Sequence, residues 1–151
     1  MAENSRKFII ANLGHAGVGK SPSIKKVYYI LAARYPHNLM ISGDDIKGTI
    51  TINGILVGIE SQGDPGCRMP VSMDEFVAMG CNIIYTACRT RSTTLNKVFE
   101  LHRLHGYEVI YAPNPRTYYK KVISDASYEK MNDVYAEGLA NIIEDIAMGR
   151  I

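Results

Sequence analysis

The stretch KFIIANL-GHAGVGKS-PSIKKVYYILAARY constrains the fold more than any other part of the chain. Residues 7–13 form an almost continuous apolar run, as expected of a strand buried on both faces of a parallel sheet. A glycine-rich segment follows. Ile24, Val27, Tyr28, Leu31 and Tyr35 then recur at helical spacing, and Pro36 stops the pattern. Strand, short loop and helix in that order open an α/β fold.

The rest of the chain continues the alternation. NLMIS (38–42) reads as a second strand, closed by the turn residues Gly43, Asp44 and Asp45. TITI and ILVGIE flank Asn53-Gly54, a two-residue hairpin signal, so one hairpin strand is expected to run antiparallel. Ser72 and Glu75 have capping-box spacing and predict a short helix ending at Gly80. CNIIYTA (81–87) predicts a buried strand, residues 92–105 a helix stopped by Gly106, and YEVIYA (107–112) a last strand stopped by PNPR. Met131, Val134, Tyr135, Leu139, Ile142 and Ile146 mark a terminal amphipathic helix. No repeat or linker interrupts the 151 residues, so the expectation is one domain, 1–151, with a mainly parallel sheet between helices.

Composition narrows the class. Hydrophobic residues make up 46% and charged residues 21%, as in soluble globular chains and unlike disordered ones. A net charge of +2 gives no electrostatic argument for nucleic acid or membrane as partner. No apolar run approaches the roughly 18 residues of a spanning helix, and MAENSRKF lacks a signal-peptide core. Cys67, Cys81 and Cys88 are odd in number and lack metal-type spacing, so they read as reduced thiols in a cytoplasmic protein. Oligomeric state is not encoded in any feature of the sequence.

The loop between the first strand and helix carries the chemistry. Gly14, four residues, Gly19, Lys20 and Ser21 have the spacing at which successive backbone N–H groups converge on phosphate oxygens. With Gly17 the segment reads G-x-x-G-x-G-K-S, and in this setting it resembles the P-loop NTPase superfamily, in a form common among its nucleotide and small-metabolite kinases. The resemblance implies a three-layer α/β/α fold in which Gly14, His15, Ala16, Gly17, Val18, Gly19, Lys20 and Ser21 hold ATP or another nucleoside triphosphate. It implies that Lys20 bridges the β- and γ-phosphates and that the Ser21 hydroxyl joins a Mg²⁺ shell. Pro22 departs from the pattern, because it offers no N–H toward the α-phosphate.

Further candidates follow other strands. Glu60, in Glu60-Ser61-Gln62-Gly63, is where the resemblance implies an acid that orients Mg²⁺ through water; Gln62 and Asp64 are close enough to share that role. Asp44, with Asp45 beside it, is expected to orient the acceptor hydroxyl or take its proton. Arg89 and Arg91 are expected to contact the transferring phosphate, and Arg116, Lys120 and Lys121 form a short basic segment after the last strand. His102 and His105 lie three apart on one helix, with no third ligand in view.

Three functions fit these residues. The first is a magnesium-dependent ATP-binding kinase acting on a small-molecule phosphate acceptor. The second is a switch-type or simple NTP hydrolase, a reading suggested by the hairpin and by the Gln beside E-x-x-G. The guanine-reading N-K-x-D is missing, since Asn96-Lys97 continues as Val98-Phe99. The third is a nucleotide-binding regulatory protein without catalysis.

Overall fold

The computed structural model describes residues 6–14, 20–64, 66–90, 93–115 and 124–151. Strand β1 (Phe8–Leu13) leads to helix α1 (Lys20–Ala32), and β2 (His37–Ile41), β3 (Lys47–Ile52) and β4 (Ile55–Glu60) follow. Then come α2 (Met69–Met79), β5 (Ile83–Cys88), α3 (Thr93–His105), β6 (Glu108–Tyr111) and α4 (Asp125–Ala147). The six strands form one mixed sheet in the order β2-β3-β4-β5-β1-β6. β4, β5, β1 and β6 are mutually parallel, and β3 runs antiparallel to both its neighbours.

The apolar runs are continuous because both faces of the central strands are covered. Ile10 joins a core with Val27, Tyr28 and Leu31 of α1 and Leu139 and Ile143 of α4. Ile9 and Ala11 join a second core with Met73 and Phe76 of α2 and Val98 and Leu101 of α3. The outer strands β2 and β6 are half-exposed, with polar His37, Asn38 and Glu108 on them. In the β3–β4 turn Asn53 and Gly54 take φ of 54° and 76°, the paired positive values of a type I′ hairpin turn.

Two local expectations are corrected. Helix α2 begins at Met69 rather than Ser72; Arg68 occupies the cap position without a side-chain cap, and Pro70 sits in the first turn. The Ser72 hydroxyl is drawn away to Glu60, so the capping box does not form. Helix α4 exists, but it buries Ala136, Leu139, Ala140, Ile143 and Ala147 and leaves Val134 and Ile142 exposed. The alanines let α4 approach α1 closely, which a stripe of larger side chains would prevent.

Polarity of the strands sets the location of every candidate group. The C-terminal ends of β1, β2, β4, β5 and β6 and the start of β3 lie along one edge of the sheet. Ligands of open parallel sheets bind outside such an edge.

Candidate functional site

Among the described residues, Lys20, Ser21, Asp44, Asp45, Glu60 and Arg89, all singled out by the sequence, stand at or follow strand ends on this edge or begin the helix after one. Lys20 is the first residue of α1 and is 7% exposed. Its ammonium donates to the carbonyl of Gly14, at the end of the strand that precedes it. Burial holds the lysine below its ordinary pKa of 10.5, and the Arg89 charge lowers it further, against the opposing pull of Asp64. A lysine so placed holds its proton less firmly until an anion arrives.

Ser21 points at a carboxylate. Its hydroxyl donates to Asp45 Oδ1 at 2.6 Å, and the Ser61 hydroxyl donates to the same oxygen at 2.9 Å. Ser61 in turn accepts from the Ile46 amide at 2.8 Å. Asp45 therefore ties the start of α1, the β2–β3 turn and the segment after β4 into one unit. Lys25 adds a bond to the Gly43 carbonyl at 2.9 Å, fixing the same turn to α1. Asp44 is exposed and lines the cavity beside it.

Glu60 is not a magnesium-facing acid in this arrangement. It ends β4, fully buried, and its carboxylate accepts from Arg68 Nε at 2.9 Å and Arg68 Nη2 at 3.1 Å. The Ser72 hydroxyl at 2.6 Å and the Gln62 amide at 2.9 Å complete the set. The Gln62 side-chain oxygen accepts from the Arg68 amide at 3.1 Å. Asp45, not Glu60, is the acid that meets Ser21 and lines the cavity. One strand separates the end of β4, where Glu60 stands, from the end of β1: β5 lies between them, so those ends are about 10 Å apart at the usual strand spacing.

The loop after β4 is packed hard against β5. A Cβ on Gly63 would lie 2.5 Å from the carbonyl carbon of Ala87, so only glycine fits there. Beyond it, Arg89 donates through Nε to Asp64 at 2.9 Å, while its amide bonds Thr94 Oγ1 at the start of α3. Arg89 is thereby held beside Lys20. The groups enclose an open cavity of about 880 Å³ lined by Lys20, Ser21, Asp44, Asp45, Arg68 and Ala87 among others, within the size range of small-molecule sites.

On the opposite face of the sheet a neutral network supports the same edge. Asn114, after β6, donates to Ser23 Oγ at 2.6 Å and Asn132 Oδ1 at 2.8 Å and accepts from Asn12 Nδ2 at 2.7 Å. Asn12 also donates to Tyr85, which bonds Tyr135, and Tyr135 donates to the Ala112 carbonyl. Among the described residues, Asn12 Oδ1 is the one buried side-chain polar atom without a partner. The sequence reading missed this network and Arg68. Asn114 stands among turn residues in PNPR, where an asparagine has a local explanation.

Other expectations are answered more briefly. Pro22 lies in the first turn of α1 and faces the cavity. His102 is used by the Tyr107 carbonyl, and among the described residues no group of three metal-ligating side chains occurs. Burial pushes the Cys88 thiol up to about 11 and raises that of Cys67, so neither is a thiolate near neutral pH. Among the described residues no helix is long and apolar enough to cross a membrane. His15, Ala16, Gly17, Val18, Gly19, Arg91, Arg116, Lys120 and Lys121 lie outside the described residues. The sequence matches no protein-family model and no curated protein.

Proposed function

We propose that this edge binds a magnesium nucleoside triphosphate, ATP by the sequence reading, and transfers its γ-phosphoryl group to the hydroxyl of a small acceptor. The fold would then be a three-layer P-loop arrangement, with α1 and α4 on one face and α2 and α3 on the other. The observation that carries the reading is the Ser21–Asp45 hydrogen bond beside buried Lys20, at the mouth of the cavity.

The donor set suits the metal. Mg²⁺ prefers hard oxygen ligands and is held by one or two carboxylates together with substrate phosphates, not by a dedicated cage. Ser21 Oγ and Asp45 are such donors. When bound, the ion supplies positive charge to the phosphate oxygens.

This chain's residues divide the remaining work. Lys20 leaves the Gly14 carbonyl for the β- and γ-phosphates and neutralises charge that develops there. Arg89, oriented by Asp64, contacts the moving phosphoryl group. Asp44 orients the acceptor and takes its hydroxyl proton as the new O–P bond forms and the bridging O–P bond breaks. The products are a phosphate monoester and the nucleoside diphosphate, and Asp44 returns the proton to solvent. The catalysis is positioning and electrostatics.

A switch-type hydrolase would need the Gln62 amide oxygen to orient water, and that oxygen is taken by Arg68. The test is Asp44→Asn, assayed with γ-labelled ATP and a library of small hydroxylated metabolites. Turnover should fall about a hundredfold or more, the scale of a lost general base, with nucleotide affinity little changed. Label released only as free phosphate, at equal rates from both forms, would refute phosphoryl transfer to an acceptor.

A further inference from the structure

Arg68 has more capacity than its structural role uses. Nε and Nη2 are committed to Glu60, which leaves the Nη1 edge without a partner among the described residues. The side chain is 27% exposed and stands on the cavity wall, whereas Glu60 behind it has no exposure at all. A guanidinium braced by a buried carboxylate is fixed in plane, and its remaining N–H fork matches a carboxylate or phosphate. The bond from its own amide to Gln62 prevents the residue from drifting.

The position relative to the donor end matters equally. Lys20 and Arg89 form one cationic pole, after β1 and β5. Arg68, bonded to the end of β4, forms a second, one strand spacing (about 5 Å) from the end of β5 and two (about 10 Å) from the end of β1. Asp45, in the β2–β3 turn, is bonded to Ser21, next to Lys20, and to Ser61, next to Glu60, and lines the same cavity as Lys20 and Arg68. A molecule whose hydroxyl meets the acids would find Arg68 on the wall of the same cavity.

We propose that Arg68 is the specificity-determining residue for the acceptor, and that the acceptor is a small hydroxylated molecule bearing its own oxyanion, a carboxylate or a phosphate. This rests on the kinase reading above. A neutral polyol would leave the Nη1 edge to water, so the site discriminates by charge. A purely structural Arg68 predicts no such discrimination.

The test uses protein saturated with magnesium and a non-hydrolysable ATP analogue, titrated calorimetrically with glycerate, glycerol 3-phosphate and glycerol. At least one anion should bind tenfold or more tightly than glycerol, and the better of the two identifies the oxyanion. The double variant Glu60→Gln with Arg68→Gln removes both charges together, so no buried charge is stranded; circular dichroism checks its fold. It should keep nucleotide affinity and lose the anion by at least tenfold. Glycerol equal to both anions, no binding of any of the three, or undiminished anion binding in the folded double variant would overturn the proposal. If the wild type binds no nucleotide, the same titrations on free protein read Arg68 alone. The missing nucleotide binding would refute the kinase reading, while Arg68-dependent anion binding there would retain the anion site and its absence would overturn that site too.

Discussion

The two faces of the sheet support one functional edge with buried polar networks of opposite character. On the α2 face Glu60 and Arg68 form a charged pair, closed by Ser72 and Gln62. On the α1 and α4 face, Asn12, Asn114, Asn132 and Ser23 form a neutral one, extended by Tyr85 and Tyr135. Both fasten a segment that follows a strand: the loop after β4 in the first case, the segment after β6 in the second. The difference lies in what happens when one member is lost. A stranded buried charge has no cheap alternative state, whereas a stranded amide costs only its unmade hydrogen bonds.

The comparison makes its largest prediction at Arg68. Arg68→Ala should destabilise the fold by about 3–5 kcal/mol, the usual cost of removing one partner from a buried ion pair. Urea denaturation measures this directly. A loss under about 1 kcal/mol would mean that water reaches Glu60, and the charged network would not differ in kind from the neutral one.

The neutral network should answer more softly. Asn114→Ala strands Asn12 Nδ2, Ser23 and Asn132 and should cost about 1–3 kcal/mol in the same assay. A cost as large as that of Arg68→Ala would erase the distinction. Asn12, whose Oδ1 is already without a partner, sharpens it: Asn12→Leu gives up fewer bonds and should cost less than Asn114→Ala.

The smallest effect is electrostatic and concerns the site itself. Lys20 must be protonated to hold phosphate, and burial with the Arg89 charge places its pKa below 10.5. Affinity for a triphosphate should therefore fall as pH rises through that lowered value, where an exposed lysine would still be charged. Asp64 pulls the pKa the other way, so Asp64→Asn should move the fall to lower pH. Titrations at stepped pH would show this, and identical profiles for both proteins would contradict the assigned neighbours.

The parts of the fold that were legible in sequence are those with a local cause. β1 and β5 announce themselves as apolar runs because both faces are covered, and Asn53-Gly54 specifies its turn by positive φ alone. Lys20 and Ser21 stand in the first turn of α1, where the order of strand, loop and helix in the sequence puts them. The rest depends on contacts between distant segments. Nothing local tells Asp44 from Asp45; only the approach of Ser21, 24 residues away in sequence, selects Asp45. Ser72 has the right spacing for a cap, yet a carboxylate twelve residues earlier claims it. Arg68 lies in a turn-rich stretch without periodicity, so its pairing with Glu60 leaves no sequence signal. The insertion of β5 between β4 and β1, which separates Glu60 from the end of β1, is likewise a property of the assembled sheet.

The most direct test of the central claim is calorimetric titration of magnesium with a non-hydrolysable ATP analogue into wild-type protein and Lys20→Ala. The wild type should bind with a single site. The variant should lose at least about thirtyfold, or 2 kcal/mol, the lower range for removing one partner of a desolvated charge pair, with its circular dichroism unchanged. Equal affinity in the two proteins, or no binding by the wild type, would contradict a nucleotide site built on Lys20, Ser21 and Asp45.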